Sequence, residues 1–203
     1  IFALSIPFFG YLGAKSWREA AAIFAAAGLG WFLASTYWVS NSLVVNGPSN
    51  WFFIPLVALA MAMTLASFWA VASAFSFSFG RNPLARILWL LIFFSLSEWA
   101  RGFVATGFPW NLTGSLFAVD LASMQAASFI GVYGLCIVAI TFAAAPVFWA
   151  IGHRRFSIIA VTLPIILALA GAIRLAGAPV LGPLSNAESV VRLVQPAIPQ
   201  AEK

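Results

Sequence analysis

The sequence predicts an all-α polytopic membrane protein, and its composition, hydropathy and charge all support this prediction. Of its 203 residues, 63% are hydrophobic and only 7% are charged, whereas a soluble domain carries about 25% charged residues. The mean hydropathy is +1.02. The net charge is +5, and in so apolar a chain a basic excess is typical of loops at the cytoplasmic face of a membrane. A soluble enzyme, a disordered chain and a DNA-binding module are therefore excluded.

Apolar runs predict about six transmembrane helices, each of which needs roughly 20 mostly apolar residues. The runs cover residues 1–14, 20–45, 51–79, 84–104, 121–151 and 156–176. The first run is short, so we expect it to be truncated and to follow one further helix in the complete protein. Turn-forming residues separate several runs, at 46–50, 80–83 and 152–155.

Basic residues predict the orientation of these helices. Three alternate connections carry most of the positive charge, through Lys15, Arg18, Arg81, Arg86, Arg154 and Arg155. The connection at 46–50 has no charge. By the positive-inside rule the basic connections face the cytoplasm, so residue 1 and the chain after the last run both lie on the outer side.

The composition changes after residue 176, which predicts three regions. Residues 1–176 form the helical membrane domain, and 177–187 form a linker rich in Gly and Pro. Residues 188–195 are enriched in Val and Leu and are too few to cross a bilayer, so they predict a strand that Pro196 ends. We expect 188–203 to begin an extracytoplasmic soluble domain that is almost wholly missing.

Glu98 and Arg101 are charged residues inside or beside the fourth predicted helix, where charge is costly. Their spacing of three residues places them on one helix face, so they can form an ion pair. One interpretation is structural, with the pair holding the helix end and the neighbouring loop. The other is functional: the guanidinium of Arg101 faces phosphate or carbonyl oxygens at the outer membrane surface, because its planar fork offers two donors.

The loop that follows combines residues that break helices with aromatic residues. Gly107 and Pro109 prevent a regular helix, and Phe108 and Trp110 prefer the membrane interface. The loop is therefore either part of an aromatic belt or an ordered loop on the outer leaflet, where a lipid-handling site opens. Asp120 is expected to cap the fifth helix, with its carboxylate accepting backbone N–H groups.

The chain shows no recognisable catalytic constellation of its own. Its single cysteine, Cys136, lies in the middle of an apolar run, where burial makes a thiol inert. There is no phosphate loop, no pair of carboxylates at catalytic spacing, no His-rich metal set and no Ser/His/Asp set. We therefore predict no catalytic residue, no metal site and no cofactor in this chain.

Two local motifs resemble apolipoprotein N-acyltransferases. Residues 98–102 read Glu-Trp-Ala-Arg-Gly, residues 106–110 read Thr-Gly-Phe-Pro-Trp, and Gly114 follows, in the order found in the membrane domain of that family. Residues 191–196 and 198–200 resemble the first strand and following turn of the family's nitrilase-like domain. Ala197 departs from the pattern, because the family often has a polar residue there.

The resemblance implies a bacterial inner-membrane enzyme with an α/β nitrilase-like domain, of which this chain holds only the first strand. Such an enzyme moves an acyl chain from a phospholipid to the α-amino group of the diacylglyceryl-cysteine that begins an apolipoprotein. It acts through a cysteine thioester with a Cys, a Glu and a Lys of the nitrilase-like domain. The chain ends before those residues, so Cys136 and Glu98 do not inherit these roles and the fragment alone is expected to be inactive.

The implied partners are a phospholipid acyl donor, a diacylglyceryl-modified apolipoprotein and membrane lipid, with no nucleic acid, and the protein is expected to be a monomer. As a hypothesis, Arg101, Phe108 and Trp110 bind the substrate, whereas Glu98, Gly107, Pro109 and Asp120 are structural. Two alternatives remain: a subunit of a transporter or channel, and a membrane scaffold without chemistry. Transporters usually place ionisable residues or broken helices near the membrane midplane, whereas this sequence keeps its charges near the helix ends.

Overall fold

The computed structural model describes residues 2–45 and 48–178, and within these ranges the chain is helical. The α-helices are α1 (Ser5–Gly13), α2 (Trp17–Thr36), α3 (Ile54–Phe79), α4 (Pro83–Ala100), α5 (Leu121–Gln125), α6 (Ala127–Ala150) and α7 (Arg154–Ala176). Short 3₁₀ segments occupy Phe2–Leu4, Tyr37–Val44, Pro48–Phe53, Val104–Thr106 and Thr113–Val119. The predicted strand at 188–195 and nearly all of the predicted linker lie outside the described residues.

Five helical stretches in the described part of the chain are long and apolar enough to cross a membrane. They are Trp17–Val44, Ser49–Phe79, Pro83–Ala100, Ala127–Ala150 and Arg154–Ala176. These stretches correspond to the second to sixth predicted runs. The first predicted run, 1–14, contains the nine-residue helix α1, which is shorter than the roughly 20 residues that a crossing needs. The described residues therefore hold five candidate spans and not six.

Local sequence signals explain where two of the spans begin. Ser16 accepts a hydrogen bond from Glu19 N at 3.2 Å, and the Glu19 carboxylate accepts one from Lys15 N at 2.7 Å. This arrangement resembles a capping box, except that the Glu19 carboxylate reaches the residue before the N-cap, and it satisfies a backbone donor in the first turn of α2. Asn82 caps α4, because its side-chain oxygen accepts a hydrogen bond from Ala85 N at 2.8 Å.

Several helix boundaries differ from the prediction, among them the end of α4 and the start of α6. The fourth run was expected to continue to residue 104, but α4 ends at Ala100 because the chain turns there. The fifth run was expected to be one helix over 121–151, whereas the structure divides it into α5 and α6. Inside α6, Gly131 has φ 66° and ψ 176°, a conformation that residues with a Cβ atom avoid. The helix is therefore kinked near its start.

The centre of the bundle is a cluster of buried aromatic rings contributed by different helices. Phe24 of α2 meets Phe94 of α4 edge to face with centroids 5.5 Å apart, and Trp69 of α3 meets the same ring at 4.7 Å. Close packing of this kind holds membrane helices together, since lipid provides little hydrophobic driving force. Helix α7 packs on α5 and α6.

The three basic connections meet at one end of the bundle. Arg86 Nη1 donates to the carbonyl oxygens of Ala14 and Leu12, at 3.3 and 3.5 Å, which joins the start of α4 to the connection between α1 and α2. Arg86 also lines a pocket with Ile151, next to the turn between α6 and α7. We call this the basic end. The loop 101–120 lies at the other end of α4, and we call that the loop end.

Candidate functional site

A fully buried ion pair stands at the loop end, where α4 finishes. Arg101 Nη2 lies 3.2 Å from Glu98 Oε1, and the two side chains are 1% and 0% exposed. Removing two charges from water is costly, and the pair is stable only if further hydrogen bonds satisfy its remaining donors and acceptors. The neighbouring residues supply these bonds.

Glu98 connects three parts of the protein. Its Oε1 atom also accepts a hydrogen bond from Trp69 Nε1 of α3 at 3.0 Å. Its Oε2 atom accepts one from Thr113 N at 2.7 Å, in the loop that returns toward α5. A single carboxylate therefore holds α3, the end of α4 and the loop in fixed relative positions.

Arg101 holds the preceding part of the same loop. Its Nη1 atom donates to the carbonyl oxygens of Trp110 at 2.8 Å and Phe108 at 3.4 Å. Its guanidinium also lies over the ring of Phe32 of α2, 4.8 Å from the centroid, a favourable cation–π contact. The buried Nε atom has no hydrogen-bond partner among the described residues. In this arrangement the guanidinium faces inward, and its contact with a substrate stays a prediction.

The loop backbone adopts conformations that most residues avoid. Gly107 has φ 80°, and Ala105 and Asn111 have φ 53° and 52°. A Cβ atom on Gly107 would overlap the carbonyl oxygen of Gly102. Such strain persists only where the surroundings determine the conformation. Pro109 lies between Phe108 and Trp110, whose carbonyl oxygens accept hydrogen bonds from Arg101. The ring of Pro109 fixes the φ angle of that residue as well.

The far side of the loop is fixed to α2. Asn111 Nδ2 donates to the carbonyl oxygen of Ser35 at 2.7 Å, and Trp31 Nε1 donates to the carbonyl oxygen of Asn111 at 3.3 Å. The loop is thus bonded to α2, α3 and α4, and it forms an ordered surface at the end of the bundle.

Aromatic side chains cover the outside of this loop. Trp110 is 55% exposed, and its ring stacks near that of Phe108 with centroids 6.4 Å apart. Trp38, from the 3₁₀ segment after α2, lies 5.5 Å from Trp110 and is also exposed. Sequence reasoning did not place Trp38 at this site, because no spacing along the chain relates it to Trp110.

Asp120 stands at the start of α5. Its carboxylate accepts hydrogen bonds from Ser123 N at 2.9 Å and from the Ser123 hydroxyl at 2.7 Å. The backbone bond, followed by the hydroxyl bond, holds the pKa of the Asp120 carboxyl below its usual range. The charged carboxylate therefore caps the short helix.

Cys136 lies under the loop, on α6. It is 1% exposed, and its Sγ atom accepts a weak hydrogen bond from Gly114 N at 3.3 Å. A Cβ atom on Gly114 would lie 2.9 Å from Cys136 N, so only glycine allows this close approach. The thiol thus packs against the loop and is not offered to solvent.

Two apolar grooves run along the sides of α4. One lies between α3 and α4, with a volume of about 350 Å³, and includes Phe75 and Phe93. The other lies between α4 and α6, with a volume of about 630 Å³, and extends to Trp99 and Tyr133. Both volumes are in the range of small-molecule sites, about 300–1,000 Å³.

Comparison with known proteins identifies the family. Residues 1–145 match the model of the apolipoprotein N-acyltransferase N-terminal domain. The chain belongs to the apolipoprotein N-acyltransferase family. The matched residues include the ion pair, the loop and the residues that line both grooves. No solved structure matches the chain.

Relatives called apolipoprotein N-acyltransferase cover most of this chain. The protein from Rickettsia bellii is 33% identical over 93% of the chain and 38% of its own length. The protein from Brucella suis is 37% identical over 87% of the chain and 33% of its own length. The protein from Caulobacter vibrioides is 35% identical over 86% of the chain and 32% of its own length. The chain thus spans about a third of the length of the curated relatives it matches.

Proposed function

We propose that this chain is the membrane part of an enzyme that transfers an acyl chain from phospholipid to the α-amino group of the N-terminal diacylglyceryl-cysteine of apolipoproteins. The observation that carries the proposal is the family match over residues 1–145. The family match also favours this function over a transporter subunit or a scaffold. The catalytic Cys, Glu and Lys would lie in the nitrilase-like domain beyond this chain, which alone would be inactive.

The geometry of the loop end supports a role in handling lipid. Both substrates of the proposed reaction carry acyl chains, so they must approach along apolar surfaces. The larger groove beside α4 is almost entirely apolar and extends to Trp99 and Tyr133 at the loop end. In our proposal an acyl chain lies in a groove of this kind while its headgroup reaches the outer surface.

We assign separate roles to the loop residues. Phe108 and the exposed Trp110 would contact the substrate, and Arg101 would serve the same site by fixing the carbonyls of both residues. Glu98 would hold Arg101 in place. The remaining structural residues, Gly107, Pro109 and Asp120, would set the path of the loop and the start of α5.

The location of the protein follows from the same proposal. The enzyme would be a monomer in the bacterial inner membrane, with the basic end toward the cytoplasm and the loop end toward the periplasm. Helix α1 would belong to a sixth span, and residues 188–203 would begin the nitrilase-like domain after a linker at 177–187.

The proposal is tested with the complete gene product, by measuring acyl transfer from labelled phospholipid to a diacylglyceryl-cysteine peptide. We expect transfer, and we expect Trp110→Ala to raise the KM for phospholipid about fivefold because an aromatic contact contributes about 1 kcal/mol. Trp51→Ala is the matched control, since Trp51 is 66% exposed and lies outside the loop. Absence of transfer would disprove the function, whereas equal KM values in both variants would disprove only the role of Trp110.

Cys136 offers a second test. We expect Cys136→Ala to keep the acyl transfer rate within about twofold of the unmodified protein, because the thiol is buried and makes only a weak hydrogen bond. The measurement is the same transfer assay, together with covalent capture of the acyl-enzyme. Loss of the captured acyl group in this variant would contradict the expectation that the nucleophile lies elsewhere.

A further inference from the structure

A pocket at the basic end lies far from the loop just described. Its volume is about 320 Å³, and its walls are Leu12, Arg81, Asn82, Pro83, Arg86 and Ile151. We call it the basic-end pocket. It stands at the start of α4, whose 18 residues place its two ends about 27 Å apart at 1.5 Å per residue. The pocket therefore cannot belong to the site at the loop end.

Arg86 is held in position inside this pocket. Its Nη1 atom donates to the carbonyl oxygens of Leu12 and Ala14, and its guanidinium lies 4.4 Å from the ring centroid of Phe77. A Cβ atom on Gly80 would overlap Arg86, so the tight turn requires glycine there. Among the described residues, the hydrogen bonds of the Arg86 guanidinium come from Nη1, so the N–H groups of Nη2 and Nε are available to a ligand.

No carboxylate neutralises the two arginines of the pocket within the described residues. Arg81 is exposed, and the ion pair that the described residues contain joins Glu98 to Arg101 at the loop end. The Asn82 amide oxygen is used to cap α4. The carboxylate of Glu19, at the start of α2, accepts a hydrogen bond from Lys15 N. The pocket therefore combines two guanidinium groups with the positive N-terminal end of a helix dipole.

We propose that the basic-end pocket binds the phosphate-bearing headgroup of an anionic phospholipid. Guanidinium groups bind phosphate oxygens through charge-assisted hydrogen bonds. Leu12 and Ile151 supply an apolar wall for the adjoining part of the lipid. The pocket lies at the ends of the candidate spans, which is the depth of the headgroups, and basic pockets between membrane helices are typical sites for such lipids. This proposal is independent of the acyl transfer activity.

The test uses the complete gene product in detergent micelles and measures lipid binding by native mass spectrometry, with the apparent Tm as a second measurement. The probes are phosphatidylglycerol, phosphatidylcholine with the same acyl chains, and inorganic phosphate. We expect phosphatidylglycerol to bind and to raise Tm, as a ligand of the folded state does. We expect Arg81→Gln to weaken its binding about tenfold, about 1.4 kcal/mol, because one charge-assisted hydrogen bond to phosphate is lost.

Arg155→Gln is the matched control. Arg155 is an exposed arginine at the same end, but it does not line the pocket, so we expect its loss to change binding less than twofold. Equal weakening by both variants would mean that only the general positive field attracts the lipid, and it would overturn the proposal. Equal binding of phosphatidylcholine, or the same rise in Tm with inorganic phosphate alone, would also overturn it.

Discussion

Glu98→Gln is expected to destabilise the protein by about 3–5 kcal/mol, because Arg101 would remain buried without a charged partner. The amide could accept some of the bonds from Trp69, Arg101 and Thr113, but it would not compensate the buried positive charge. The measurement is equilibrium unfolding of the complete gene product in mixed detergent micelles.

Two further variants show whether the buried charge is the cause. Glu19→Gln removes an exposed carboxylate that only caps α2, and we expect it to cost less than about 1 kcal/mol. The double variant Glu98→Leu with Arg101→Met removes both charges, and it should recover much of the stability lost in Glu98→Gln. A Glu98→Gln variant as stable as Glu19→Gln would refute the interpretation of Glu98 as the centre of the loop end.

Gly107→Ala is expected to lower acyl transfer about tenfold or more and to cost about 1–3 kcal/mol of stability. At φ 80° alanine is strained, and its Cβ atom would overlap the carbonyl oxygen of Gly102. The loop must therefore move, and Trp110 moves with it. The transfer assay and the unfolding measurement are made on the same purified variant.

Gly152→Ala is the matched control for this prediction. Gly152 has φ 83°, but a Cβ atom there would have no neighbour within 4 Å, and the residue lies at the basic end. We expect the Gly152→Ala variant to lose some stability and to keep full acyl transfer activity. Equal activity of the two variants would show that the position of the loop does not matter for transfer.

The parts of the fold that local sequence controls were predictable. The five candidate spans follow from long apolar runs. The capping residues Ser16 and Asn82 mark the starts of α2 and α4, although the apolar run alone placed the second start at residue 20. The meeting of the basic connections at one end follows from the alternation of direction between successive helices. The kink at Gly131 was missed, because a hydropathy pattern records how apolar a run is and not whether its hydrogen bonds continue.

The candidate site was predictable only in part, because some of its contacts join residues that are far apart along the chain. The pair of Glu98 with Arg101 follows from their spacing on one helix face. Trp69 lies 29 residues from Glu98 along the chain, and Thr113 lies 15 residues away. Contacts at such separations depend on how α3 and the loop pack against α4, which no local pattern records.

The bonds that converge on Glu98 and Arg101 would have a consequence for the kinetics of the lipid binding proposed for this loop. A loop bonded at once to α2, α3 and α4 does not have to become ordered when a lipid arrives, so binding loses little conformational entropy. In the proposed function, a lipid that diffuses within the membrane would meet Trp110 and Trp38 already in position. Encounter with this surface would then be limited by the lateral motion of the lipid and not by a folding step in the protein.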